Sequence, residues 1–155
     1  MKVDRQGEDF EFVLTTIEKD LLVQILNLYP RTLANPNRLT LPTTGHELEE
    51  SRKLLDESLT ASRKQARQKL DRWLGSSSRF ASAENGFRLR IDGRDLEWFL
   101  QILNELKIGS WMRLGAPDER IDWSQINKVS AIDLWLMRAA EIFQDYLLRA
   151  IRGEE

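Results

Sequence analysis

The residues best suited to catalysis lie around His46, the only histidine in the chain. The stretch His46–Glu50 reads HELEE, which invites comparison with the two-histidine helix of zinc proteases. Glu50 stands where the second imidazole is required, so that zinc motif is absent. An oxygen-rich metal site near His46, with Glu49 and Glu50, is the alternative. We favour a solvated, acidic first turn of a helix over it.

Other catalytic motifs are missing from the sequence. A Ser–His–Asp site would have to use His46, and no Gly-x-Ser-x-Gly elbow accompanies it. The eight glycines are scattered, and no glycine-rich phosphate loop occurs. The chain has no cysteine, which excludes thiolate nucleophiles and cysteine zinc sites. A carboxylate-based enzyme stays open as an alternative, but nothing selects one pair among 25 acidic residues. We therefore predict no catalytic residue, metal or cofactor, and lean towards a protein that is not an enzyme.

A basic segment spans residues 63–90, where eight cations and two acids give a net charge of +6. Two phenylalanines lie among these cations, a combination that can bind nucleic acid by charge and stacking. Arg63, Lys64 and Arg67 share one side of the predicted helix and form a candidate basic patch, whereas the other cations point elsewhere. We favour a solvated helix face and keep a nucleic-acid-binding regulator as an alternative function.

The elements that position these residues are mostly helical. Alternating apolar residues predict an N-terminal β-hairpin that turns at Gly7 and a strand near 87–91, while the serine-rich residues 76–86 read as a loop. Helical periodicity and caps predict four helices, over residues 16–29, 46–74, 92–114 and 130–152. We therefore predict a mainly α, four-helix bundle-like single domain over residues 1–155, with two or three short β-strands.

Five polar residues on the third and fourth helices form a candidate buried polar cluster or interface. They lie within or beside the apolar arcs of these helices, where buried polar groups must be hydrogen-bonded. We favour a structural network of hydrogen bonds over a functional site. The five residues are Asn104, Glu105, Lys107, Arg113 and Gln144.

The third and fourth helices are apolar over most of their circumference. Such helices either cover each other at the centre of the domain or leave an exposed apolar patch, which usually marks a protein partner. We expect a homo-oligomer or a protein partner. The formal net charge of −2 favours neither nucleic acid nor an anionic membrane. With no membrane-length apolar run and no apolar signal core near Met1, we predict a cytoplasmic protein without membrane contact.

Residues 99–115, FLQILNELKIGSWMRLG, resemble the signature of an uncharacterised bacterial family, the domain of unknown function numbered two thousand seventeen. Phe143–Leu147 resembles the family's closing motif, and Glu18 with Leu21 and Leu22 resembles its first helix. The resemblance implies a helical domain of no established activity. Genes of this family often lie near the gene for the ClpS adaptor, which suggests a link to Clp-type protein turnover. The preferred function is a non-catalytic helical protein-interaction domain.

Overall fold

A computed structural model describes residues 1–32, 46–76, 79–115 and 128–154, apart from the side chains of residues 46–48, 128 and 129. The described chain forms four strands and four helices. In chain order they are β1 Lys2–Gln6, β2 Asp9–Leu14, α1 Thr16–Asn27, α2 His46–Gly75, β3 Phe80–Ala83, β4 Gly86–Ile91, α3 Leu96–Arg113 and α4 Lys128–Arg152.

The prediction of a mainly α, four-helix bundle-like fold is wrong. The four strands form one antiparallel sheet in the order β1-β2-β4-β3, so the fold is α+β. The error came from β3, whose sequence FASA has no strong apolar alternation and lies inside the segment that we predicted to be a loop. It is a strand because its partner β4 holds it, with Phe80 opposite Leu89. The pairing of β2 with β4 joins residues far apart in sequence, which local patterns do not reveal.

The sheet has one buried face and one charged face, as strand alternation requires. Phe10, Phe12 and Leu14 of β2 are buried, and Leu89 and Ile91 of β4 lie beside them. The opposite face of the same two strands carries charges of both signs. The helices therefore cover a single side of the sheet.

A side-chain cap marks the start of α1 but not the start of α3. Thr15 and Glu18 form the predicted capping box at the start of α1. Each side chain accepts a hydrogen bond from the backbone amide of the other residue. The third helix was predicted to begin at Asp92, but α3 begins at Leu96. The Asp92 carbonyl instead accepts a hydrogen bond from the Asp95 amide in a turn, at 2.9 Å. The carboxylate of Asp95 pairs with Lys69 of α2, at 3.0 Å, and caps nothing.

The centre of the core lies between the sheet and two of the helices. The Phe12 ring makes edge contacts with the rings of Phe99 in α3 and Phe143 in α4, each at 6.4 Å between centroids. α2 joins this core through its last turns, where Leu70 and Trp73 are buried. No helix in the described ranges is long and apolar enough to cross a membrane.

Candidate protein-interaction surface

The polar residues predicted as one cluster are separated into several contacts that tie α3 to its neighbours. Lys107 donates to the Oε1 atom of Gln144 in α4, at 2.8 Å. Glu105 accepts a hydrogen bond from the Tyr29 hydroxyl, at 2.5 Å. Asn104 lines a groove beside these groups. These two hydrogen bonds connect α3 to α4 and to the chain after α1, and the interpretation of the five residues as a structural network stays a prediction.

Arg113 belongs to a second polar centre, built around a buried carboxylate that sequence reasoning missed. Asp133 of α4 is 2% exposed. Its Oδ1 atom lies 2.8 Å from Nε of Arg31, and its Oδ2 atom lies 3.2 Å from Nε of Arg113. Arg113 also donates to the carbonyl of Thr32, at 3.0 Å. One carboxylate thus links the chain after α1, the end of α3 and the start of α4.

A groove of about 410 Å³ lies beside Tyr29 and Glu105. Leu59 of α2 and Ile108 and Met112 of α3 line its apolar part. Burial, and then the hydrogen bond to Glu105, raises the pKa of Tyr29 above its ordinary value of 10.0. Tyr29 therefore stays protonated at neutral pH and acts here as a hydrogen-bond donor.

The chemistry available to the groove is limited. Asp56 and Glu105 both line it, and Glu105 is already bound by a phenol. Within the described chain, no group of three or more acidic, histidine or cysteine residues is placed to hold a metal ion. The side chain of His46 lies outside the described residues, so the predicted alternative of a metal site there stays a prediction.

Most cations of the basic segment are bound to other groups. Arg67 of the predicted patch donates to the carbonyls of Leu26 and Tyr29, at 2.9 and 3.1 Å, and pairs with Asp71. The other two members of the patch, Arg63 and Lys64, take part in none of the ion pairs among the described residues.

Four of the five remaining cations of the segment are distributed over three surfaces. Arg88 and Arg90 lie on the charged face of the sheet, where each faces an acid of β2. The ammonium group of Lys69 lies 4.4 Å from the centre of the Trp98 ring. The Arg79 guanidinium lies 4.8 Å from the centre of the Trp73 ring. The segment therefore does not present one continuous cationic face.

α4 carries an exposed apolar line, which we call the α4 stripe. Its large members are between 40% and 51% exposed, and the small Ala139 at its centre is 5% exposed. Successive members are three or four residues apart, so they follow one line along the helix. The stripe consists of Ile132, Trp135, Ala139, Ile142 and Tyr146.

Charges of both signs border the stripe on its solvent side. Arg138 pairs with Glu141, at 3.1 Å, and Arg149 pairs with Asp145, at 3.0 Å. Both pairs are exposed, so their side chains have room for further partners. The opposite edge of the stripe continues into residues packed on the core, such as Phe143.

A second exposed apolar group lies on the first half of α2. Leu54 and Leu55 are 67% and 59% exposed, although Leu70 and Trp73 of the same helix are buried. These leucines are not part of the core cluster formed by the described residues. They make a shorter line than the α4 stripe, and only the stripe contains aromatic residues.

No protein-family model, curated protein or solved structure matches this chain. The resemblance of residues 99–115 to a family of unknown function therefore stays a prediction.

Proposed function

We propose that this chain is a protein-interaction domain that binds through the α4 stripe. The observation that supports the proposal is a line of four large, half-exposed apolar side chains on one helix, with the buried Ala139 between Trp135 and Ile142. Large exposed apolar patches on a protein surface mark sites where another protein binds. Tryptophan and tyrosine, both present in the stripe, are enriched at protein interfaces.

The stripe also answers the question that the sequence left open about the two apolar helices. α3 is covered by the sheet and by its neighbours, since Phe99, Ile102 and Leu103 are all fully buried. α4 buries one side against α3 and the sheet, through residues such as Leu136 and Phe143, and leaves the stripe outside. Of these two helices, α4 is the one whose described residues leave a line of apolar side chains exposed, from Ile132 to Tyr146.

The two alternative functions have less support. A nucleic-acid-binding regulator needs a cationic face, but the cations of residues 63–90 are largely paired with acids, carbonyls and aromatic rings. A carboxylate-based enzyme needs two acids that face one site, and of the two acids that line the groove, Asp56 and Glu105, the second already accepts a hydrogen bond from Tyr29. A role in Clp-type protein turnover in the cytoplasm is a further proposal, which rests only on the resemblance of residues 99–115.

Site-specific photo-cross-linking in the host cell tests the proposed function. A photoreactive amino acid replaces Ile142 in the stripe, and Ile17, which is 81% exposed on α1, serves as the control position. Discrete protein adducts from position 142 and none from position 17 are expected. Equal labelling at both positions, or no adduct at position 142, would contradict a binding role for the stripe.

A further inference from the structure

Building on the proposed function, we propose that the partner of the α4 stripe is a second copy of this chain, with the two α4 helices packed antiparallel. The stripe offers more than an apolar line, because its spacing and its bordering charges are self-complementary in one orientation.

The spacing of the stripe suits a helix as partner. Its members lie at residues 132, 135, 139, 142 and 146, a repeat of three and four residues. This repeat is that of helices that pack side by side along a seam. In an antiparallel pair, the small Ala139 faces Ile142 of the second copy, and the large Trp135 faces Tyr146 of the second copy. Small residues then sit opposite larger ones near the centre, and aromatic rings meet towards both ends.

The bordering charges select the antiparallel orientation. In the register just described, Arg138 lies beside Asp145 of the second copy, and the two-fold axis generates the same contact again. Each side chain keeps its present partner, Glu141 for Arg138 and Arg149 for Asp145. Glu141 and Arg138 of one copy and Asp145 and Arg149 of the other then form a row of four charges of alternating sign. The two-fold axis generates a second, identical row.

A parallel pair lacks this complementarity. In a parallel seam, the position of Arg138 faces the position of Phe143 in the second copy. Phe143 is buried in the core of its own chain, where it contacts Phe12. No charged group would then meet Arg138.

Charge exchange across the seam tests the orientation and the partner together. Sedimentation of the wild-type chain should show a concentration-dependent dimer. Arg138→Asp places two acids together at each contact and Asp145→Arg places two cations together, so each variant should dimerise roughly tenfold more weakly. An equimolar mixture of the two variants should recover dimerisation as a heterodimer, because opposite charges then meet at both contacts. Lys64→Asp, an exposed charge reversal on α2, is the matched control and should dimerise like the wild type.

A distance measurement separates the antiparallel from the parallel dimer. The chain has no cysteine, so Ala131→Cys provides a single exposed site for a spin label. In the antiparallel register, residue 131 lies level with residue 150 of the second copy. The two labels are then nineteen residues apart along the axis, which is about 28 Å at a rise of 1.5 Å per residue. A parallel dimer would place them within roughly 15 Å, because the two helix axes are about 10 Å apart.

The possible outcomes separate this inference from the proposed function. A heterodimer from the mixed variants and a long label distance would support the antiparallel dimer. A wild-type chain that stays monomeric, while position 142 still cross-links to a different protein, would overturn self-association and leave the proposed function standing. A monomer without any adduct at position 142 would overturn both.

Discussion

Replacing Asp133 with asparagine should destabilise the fold by about 2–4 kcal/mol. The Asp133 carboxylate is buried and lies between the guanidinium groups of Arg31 and Arg113. Removing its charge leaves two cations close together with no acid between them. Breaking a fully buried ion pair by removing one partner costs about 3–5 kcal/mol. The expected cost is lower here, because the two arginine side chains are 19% and 27% exposed and water screens part of their charge.

Urea unfolding of the wild type and the Asp133→Asn variant measures this cost directly. Asp71→Asn is the matched control, because Asp71 also pairs with an arginine but is more than half exposed. The control should change the free energy of unfolding by no more than about 0.5 kcal/mol. If Asp133→Asn cost as little as the control, the carboxylate would not be the link between the chain after α1, α3 and α4 that we describe.

Three further predictions concern packing and ionisation. Gly109→Ala should lower the free energy of unfolding by more than about 2 kcal/mol, despite the higher helix propensity of alanine. The reason is that the alanine Cβ atom would overlap the Arg31 carbonyl oxygen and lie 2.9 Å from the carbonyl carbon. Unchanged urea unfolding would contradict that close approach. The chain has two tyrosines, so a Tyr146→Phe variant reports on Tyr29 alone. Its tyrosinate absorbance should appear only well above pH 10, because burial and a hydrogen bond raise the pKa of Tyr29. Ionisation of Tyr29 at or below pH 10 would be the opposing result. Burial raises the pKa of Glu18. Its hydrogen bonds at the start of α1 lower the pKa by more than burial raises it, so the net pKa lies below the ordinary value of 4.5. Glu18→Gln should then cost about 1 kcal/mol at neutral pH, and this difference should shrink as the pH falls through the lowered pKa; a difference that persists unchanged at acid pH would disagree.

Local chemistry made several elements predictable. The capping box of Thr15 and Glu18 set the start of α1, and the alternation of Phe10, Phe12 and Leu14 identified β2. The apolar arc of the third helix indicated burial on several sides, and α3 is indeed buried between the sheet and its neighbours. Each of these signals lies within a few residues of chain.

The elements that sequence reasoning missed depend on distant partners. β3 is a strand only because β4 pairs with it, and its own sequence is close to that of a loop. Asp133 reads as one acid on a helix that has several, and its partner Arg31 is 102 residues away. At 100° per residue, however, Asp133 falls on the same side of α4 as Leu136 and Ala140. That buried position is the signal that could have identified it.

The α4 stripe was only partly visible in the sequence. The sequence predicts a fourth helix that is apolar over most of its circumference, but nothing local separates the part of this arc that faces the core from the part that faces solvent. That separation depends on how closely α4 packs against α3 and the sheet. The structure leaves the α4 stripe uncovered, and the functional proposal rests on that stripe.

Thiol protection at the stripe tests the central claim most directly. Cysteine introduced at position 142, in a chain that has none of its own, reports whether the stripe is covered, and cysteine at the exposed position 17 reports the general reactivity of the surface. We predict that alkylation at position 142 slows as the concentration of the protein rises, while alkylation at position 17 keeps a constant rate. Equal and constant rates at both positions over the whole concentration range would contradict a stripe that binds a second copy of the chain.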